Sequence, residues 1–222
     1  MLNLSAIRTA TMQEFPYRHT FIEKLLSEET SAELAKSFPQ HEFRESTGND
    51  HCFLWRRLIA NDEDIAKMQQ LSDHWLRRIE SKEVTSDIDN LSPIWQKLIV
   101  ELWQPEYIET MEELSGLQLS NCVKVIALRQ YHPGHYILPH TDQPSKILTH
   151  LLFLNEHWSS AWGGCLQILH SQQPESIYQE ILPLSACSVV FVRADNSWHM
   201  VNTVTQEAPS CRLAAQIAFF SL

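Results

Sequence analysis

The stretch CVKVIALRQYHPGHYILPHTD, residues 122–142, decides how this chain is read. Its first run, 122–131, is mostly apolar or β-branched and stops at the turn signal His132-Pro133-Gly134. A second run, 136–141, reaches His140-Thr141-Asp142 just ahead of the turn-like Gln143-Pro144-Ser145. Short runs bounded in this way are strands. The pattern continues at 147–154, 165–170, 177–182, 188–193, 199–204 and 211–220, with further turns at Trp162-Gly163-Gly164 and Ala194-Asp195-Asn196. Eight strands in so short a span predict a two-sheet jelly roll or barrel.

Upstream the periodicity is helical. Ser27 precedes EETSAELAKSF as an N-cap, with acidic residues in the first turn facing the positive end of the helix dipole, and Pro39 ends the helix. Asn61, Asp62, Glu63 and Asp64 open a second signal, in which Ile65, Met68, Leu71, Trp75, Leu76 and Ile79 recur at three- and four-residue steps. Ser92-Pro93 supplies a cap and an N1 proline before IWQKLIVELW. Pro105 breaks or restarts that helix before YIETMEELSG, and Gly116 is its natural stop. No linker rich in Gly, Ser or Pro divides the halves. The expected fold is therefore α+β in a single domain, 1–222: a mainly helical supporting part over 1–118 and a β core over 119–222. The open mouth of the β unit is the expected ligand site.

Composition narrows the function classes. Lys+Arg 17 against Asp+Glu 27 gives a formal charge of −10, which disfavours a sequence-independent grip on nucleic-acid phosphates or anionic lipid. No apolar run is long enough to span a bilayer, and the opening residues lack the apolar core of a secretory signal, so a cytoplasmic location is expected. The five cysteines form no CxxC pair and indicate neither a disulfide framework nor a structural zinc site.

The chemistry concentrates in the β half. In extended chain, residues i and i+2 face the same way, so His140 and Asp142 converge on one point. His199, at the start of a later predicted strand, is the third candidate. Two imidazoles and one carboxylate on one face leave three cis positions open on an octahedral metal, the arrangement suited to non-haem Fe(II) that binds a cosubstrate and O2. Arg212, on the last predicted strand, shares a face with Ala214, Gln216 and Ala218, and its fork of donors suits a carboxylate. Tyr131 shares its strand parity with Val123, Val125, Ala127 and Arg129, which lets its hydroxyl point inward toward the same anion.

These residues carry a resemblance. His140-Thr141-Asp142, His199 and Arg212, in that order over a C-terminal β unit with helices before it, resemble the Fe(II)/2-oxoglutarate-dependent dioxygenase superfamily. Gln130-Tyr131-His132-Pro133-Gly134 running into the His-x-Asp resembles its prolyl-hydroxylase-like branch. Leu151-Leu152-Phe153-Leu154-Asn155-Glu156 followed by Trp162-Gly163-Gly164-Cys165-Leu166 does so as well. The resemblance spans about 120–222 and touches the N-terminal half only loosely, at the helix near Ser27 and at Phe15-Pro16-Tyr17. It implies a double-stranded β-helix in which His140, Asp142 and His199 bind Fe(II). Arg212, helped by Tyr131, would bind the distal carboxylate of 2-oxoglutarate. It also implies hydroxylation of an unactivated C–H bond in a small amino-acid-like metabolite or a peptidyl residue, with release of succinate and CO2. An intact Asp142 favours oxygen transfer over halogenation. Cys165 and Gln216 depart from the family pattern, standing where an acidic residue and a Ser or Thr are common.

Other readings attach to the same residues. A protein prolyl hydroxylase is the second enzyme reading, and a non-catalytic β-sandwich or cupin-like binding protein belongs to another class. Cupin metal sites usually begin His-x-His, and no binding module explains the ordered His, Asp, His and Arg. His150, His157 and His170 compete with His199 for the third ligand, and Arg193 competes with Arg212. Trp55-Arg56-Arg57 reads as a loop or a packing segment between helical blocks that could border the substrate entrance.

Overall fold

The computed structural model describes residues 1–58 and 88–221. The helical signal at Asn61–Ile79 lies outside them. All eight predicted strands are present as β4 (Val123–Tyr131), β5 (Tyr136–His140), β6 (Lys146–Phe153), β7 (Leu166–Leu169), β8 (Ile177–Ile181), β9 (Ser188–Val192), β10 (His199–Val201) and β11 (Arg212–Phe220). Three more come from the N-terminal half: β1 (His19–Ile22), β2 (Arg44–Thr47) and β3 (His51–Leu58). The spatial order is β1-β9-β6-β11-β4-β3-β5-β10-β7-β8, with β2 on β3, and every pairing between these strands is antiparallel. The sheet curls at the short β3–β5 junction, where His51 faces Ile137 and Cys52 faces Tyr136. The result is the double-stranded β-helix, with β5, β10, β7 and β8 facing the larger sheet.

The helices are α1 (Leu4–Thr9), α2 (Glu28–Lys36), α3 (Pro93–Trp103) and α4 (Pro105–Ser115). Ser27 caps α2 as expected, its hydroxyl accepting from the Thr30 amide at 3.1 Å. Ser92 precedes Pro93 but donates to the Ser37 hydroxyl instead, so α3 has its N1 proline without a side-chain cap. Gly116 ends α4 at φ 68°, a left-handed conformation that favours glycine. On α3, Trp95, Leu98, Ile99 and Leu102 are fully buried at helical spacing, and the Trp95 indole donates to the Leu34 carbonyl of α2.

Strand alternation decides which residues meet the helices and which meet the cavity. Ile126 and Leu128 of β4 and Ala215, Ile217 and Phe219 of β11 pack with the helices in one apolar core. Residues of opposite parity, Val125, Ala127, Arg129 and Tyr131 on β4 and Arg212, Ala214, Gln216 and Ala218 on β11, line a cavity inside the curled sheet. A one-residue slip would exchange the two sets, so the apolar face pins the register.

Trp55-Arg56-Arg57 is part of β3 rather than a loop, paired with β4. Its adjacent arginines disguised the strand. Each is buried because each has a destination: Arg56 points outward to Glu42 at 2.5 Å, while Arg57 points into the cavity. The five cysteines are free thiols. Among the described residues no helix is long and apolar enough to cross a membrane.

Candidate metal centre and cosubstrate pocket

β5 and β10 pair so that His140 stands directly opposite His199, with ring centroids 4.3 Å apart. Asp142 follows β5 by two residues, and one ligand atom from each of the three side chains lies within 4.8 Å of the others. This is the sole such cluster among the described residues. Neighbours fix the tautomers. His140 Nδ1 donates to the Leu138 carbonyl and His199 Nδ1 donates to the Ser197 carbonyl, each at 2.9 Å. A carbonyl can only accept, so both Nδ1 atoms carry the proton and both Nε2 atoms present a lone pair.

Electrostatics keep the three in ligand-ready states. Burial pushes the His199 imidazole down to about 3 and lowers His140 as well, so both are neutral near pH 7. Burial alone would raise the Asp142 carboxyl, but Lys146, His199 and His140 together outweigh it and hold it below the ordinary carboxylate range. Lys146 Nζ donates to Asp142 Oδ1 at 2.8 Å and the Thr149 hydroxyl donates to Oδ2 at 3.0 Å. These two bonds orient the carboxylate without using all its acceptor sites. Two neutral imidazoles and one ionised carboxylate, aimed into a cavity of about 430 Å³, fit a divalent iron-type ion bound on one face.

Arg212 lies on the same cavity, 2 % exposed. Its Nε donates to the Gly164 carbonyl at 2.6 Å, and its guanidinium carbon stands 4.7 Å from the centre of the Tyr131 ring. Burial depresses its pKa, yet among the described residues no carboxylate lies within ion-pair distance. A buried cation without an internal counter-ion fits an anionic ligand. The Gly163-Gly164 turn makes this possible. A Cβ on Gly163 would stand 1.9 Å from the Thr203 carbonyl oxygen, and one on Gly164 would crowd Val204 Cγ2 at 3.0 Å and Trp158 Cζ2 at 3.1 Å, beside Arg212.

The competing residues are elsewhere. His150 is buried on the helical side of β6, hydrogen-bonded to the Tyr107 hydroxyl at 2.9 Å. His157 and His170 are exposed. Arg193 pairs with Asp195 at 2.8 Å and donates to the Asp142 backbone carbonyl at 3.3 Å, but it does not line the cavity. Sequence reasoning passed over Lys146 and Thr149, which become partners of Asp142 only through the β6 fold-back. It also left Arg129 and Gln216 without a role, although their parity with Tyr131 and Arg212 already placed them on the same face.

Residues 126–219 match a family model described as the 2OG-Fe(II) oxygenase superfamily. No curated protein matches the chain. Among solved structures, a Pseudomonas putida prolyl-4-hydroxylase superposes with a TM-score of 0.65 at 14% identity, over 99% of this chain and 97% of that one. A Trichoplax adhaerens prolyl hydroxylase, in complex with a hypoxia inducible factor peptide fragment, reaches 0.59 at 14% identity over 99% and 87%. SnoN, a non-heme alpha-ketoglutarate-dependent epimerase of nogalamycin biosynthesis, reaches 0.53 at 10% identity over 98% and 81%. At these identities the likeness is one of fold. The family match lies across the strands that carry the cavity, so residues 126–219 of this chain are similar to the 2OG-Fe(II) oxygenase superfamily, a family of enzymes that use Fe(II), 2-oxoglutarate and O2.

Proposed function

We propose that His140, Asp142 and His199 hold Fe(II), and that Arg212, backed by the Tyr131 ring, holds the far carboxylate of 2-oxoglutarate. The enzyme then hydroxylates an unactivated C–H bond of a small amino-acid-like metabolite or a peptidyl residue. The observation that carries this reading is the triad itself: three side chains within 4.8 Å, with both imidazole lone pairs freed by their Nδ1 bonds. Iron, 2-oxoglutarate and O2 supply the oxidising power, and succinate and CO2 leave. The chain's residues do the rest. Arg212 orients the cosubstrate, Lys146 and Thr149 keep the Asp142 carboxylate aimed, and the apolar walls at Leu151, Leu166 and Phe191 exclude water. Because Asp142 fills the place a halide would need, the expected product carries one added oxygen.

On this reading the whole of 1–222 acts as one oxygenase domain. The net charge of −10 supports a substrate other than nucleic acid, and the free thiols support a reducing compartment such as the cytoplasm. A protein prolyl hydroxylase is the second reading, favoured by the fold likeness to the Pseudomonas and Trichoplax enzymes. Anaerobic titration with Mn(II) and then 2-oxoglutarate tests the centre. A screen of metabolites and peptides for substrate-dependent succinate release, run under ¹⁸O₂, tests the chemistry. The product should gain one labelled oxygen. A chlorinated main product at high chloride, or a label arising wholly from water, rejects the assignment.

A further inference from the structure

Among the described residues, the cavity is lined by a partly buried cation, Arg129, that the triad and the cosubstrate leave without a role. Arg57, Arg129, Lys146 and Arg212 line it, against the carboxylates of Asp50 and Asp142. Asp142 is engaged by Lys146 at 2.8 Å, and Asp50, 72% exposed, is engaged by His51 at 2.6 Å. With 2-oxoglutarate assigned to Arg212 and the triad, Arg57 and Arg129 have no role in the chemistry. In a chain of net charge −10, two further arginines on one cavity wall run against the general field.

Register gives their place. Arg212 pairs with Tyr131, the next inward row is Ala214, Arg129 and Trp55, and the row after that is Gln216, Ala127 and Arg57. At two residues per inward row, Arg129 stands about 7 Å and Arg57 about 13 Å along the strands from the Arg212 row. Ala214 shares the Arg129 row, and its short side chain leaves room on the wall beside that arginine, one row away from Arg212.

Both arginines are held in position. Arg129 donates through Nε and Nη2 to the Gln216 amide oxygen, at 3.2 and 2.7 Å, and its guanidinium carbon lies 4.4 Å from the Phe53 ring centre. Arg57 lies 5.0 Å from the Trp55 ring centre. For Arg129, an amide and a ring fix the direction of the guanidinium without cancelling its charge. Among the described residues no carboxylate is within ion-pair distance of Arg129. Burial depresses its pKa, with no internal anion close enough to restore it fully.

We propose that Arg129 binds a carboxylate of the primary substrate, which is therefore a metabolite-sized organic acid rather than an internal segment of a peptide. The cavity volume of about 430 Å³, shared with 2-oxoglutarate, agrees with a substrate of that size. The proposal rests on the Fe(II)/2-oxoglutarate reading of the same cavity and adds the chemical class of what is oxidised.

The test uses the full chain with Mn(II) and 2-oxoglutarate, held anaerobic, in a calorimeter. The probes are L-leucine, L-proline and phenylacetate, each beside its primary amide. At least one acid should bind, and at least tenfold more tightly than its amide. Arg129→Met should weaken that acid at least tenfold while shifting 2-oxoglutarate affinity less than threefold, and Arg129→Lys should recover part of the loss. Equal affinity for acid and amide, no binding by any acid, or an Arg129→Met effect as large on 2-oxoglutarate as on the acid overturns the subsite. So does succinate release driven by an internal peptide and by none of the acids. Failure of wild type to bind Mn(II) and 2-oxoglutarate, visible before any probe is added, overturns the underlying centre instead.

Discussion

Asp142 serves two partners, and its substitution separates them. It faces the two imidazoles on one side and accepts from Lys146 and Thr149 on the other. Asp142→Ala should abolish Mn(II) binding and also leave the Lys146 ammonium buried without its counter-charge, a loss of about 3 kcal/mol or more. Adding Lys146→Met should return much of the stability while metal binding stays lost, which denaturant melts and anaerobic titration would read separately. His140→Ala and His199→Ala should lose metal binding without that extra destabilisation. Arg212 allows a similar contrast. Removing the partner of a buried carboxylate costs about 2 to 5 kcal/mol, so Arg212→Ala should raise the 2-oxoglutarate requirement at least tenfold. Arg193 keeps its side chain outside the cavity, on Asp195 and the Asp142 backbone carbonyl, so Arg193→Ala should change that requirement much less. A reversed result in succinate assays would move the role to Arg193. The ordered His-x-Asp, His and Arg were legible from side-chain types and alternation, whereas Lys146 looked like an ordinary strand-end lysine until folding brought it to Asp142.

At the level of elements, the two turn glycines differ in what surrounds them. Gly116 closes α4 at φ 68° with nothing within 4 Å of an added Cβ, so Gly116→Ala should cost about 1 kcal/mol, the left-handed penalty alone. Gly163 has a similar φ of 62°, but its Cβ would collide with the Thr203 carbonyl. Gly163→Ala should therefore destabilise well beyond Gly116→Ala and loosen the Arg212 pocket through the neighbouring Gly164 carbonyl. Thermal melts together with 2-oxoglutarate affinity check both parts. Helix starts divide in the same manner. Ser27→Ala removes a real cap and should cost about 1 kcal/mol, while Ser92→Ala should cost less because its hydroxyl does not bond the helix. Sequence signals marked both serines alike. A hydroxyl near a helix start becomes a cap only if no better partner is close, and Ser37 was close to Ser92.

Across the whole molecule, buried imidazoles link stability to pH. The His150 ring, sealed between β6 and α4, has its pKa pushed by burial down to about 3, against about 6.5 in the unfolded chain. Its contribution is fully present above pH 6.5 and is lost as pH falls from there toward 3, because only the unfolded chain takes up the proton. The melting temperature should fall steeply across that window. A His150→Leu/Tyr107→Phe pair, which removes both polar partners, should flatten part of the slope, and an unchanged slope would remove His150 as its source. His199, held near 3 by the same burial, leaves a residual slope. Local pattern was enough for the eight C-terminal strands, the helix starting after Ser27 and the order of the triad, because alternation, capping and turn chemistry act within a few residues. The strand carrying Trp55, Arg56 and Arg57 escaped that pattern, since its two buried arginines are stable only where Glu42 and the cavity receive them. Alternation placed Arg129 with Tyr131 and Gln216 with Arg212, but that these residues and Arg57 share one wall was equally out of reach. It depends on the pairing of β3, β4 and β11, segments far apart along the chain whose register is set by the shared apolar face against the helices.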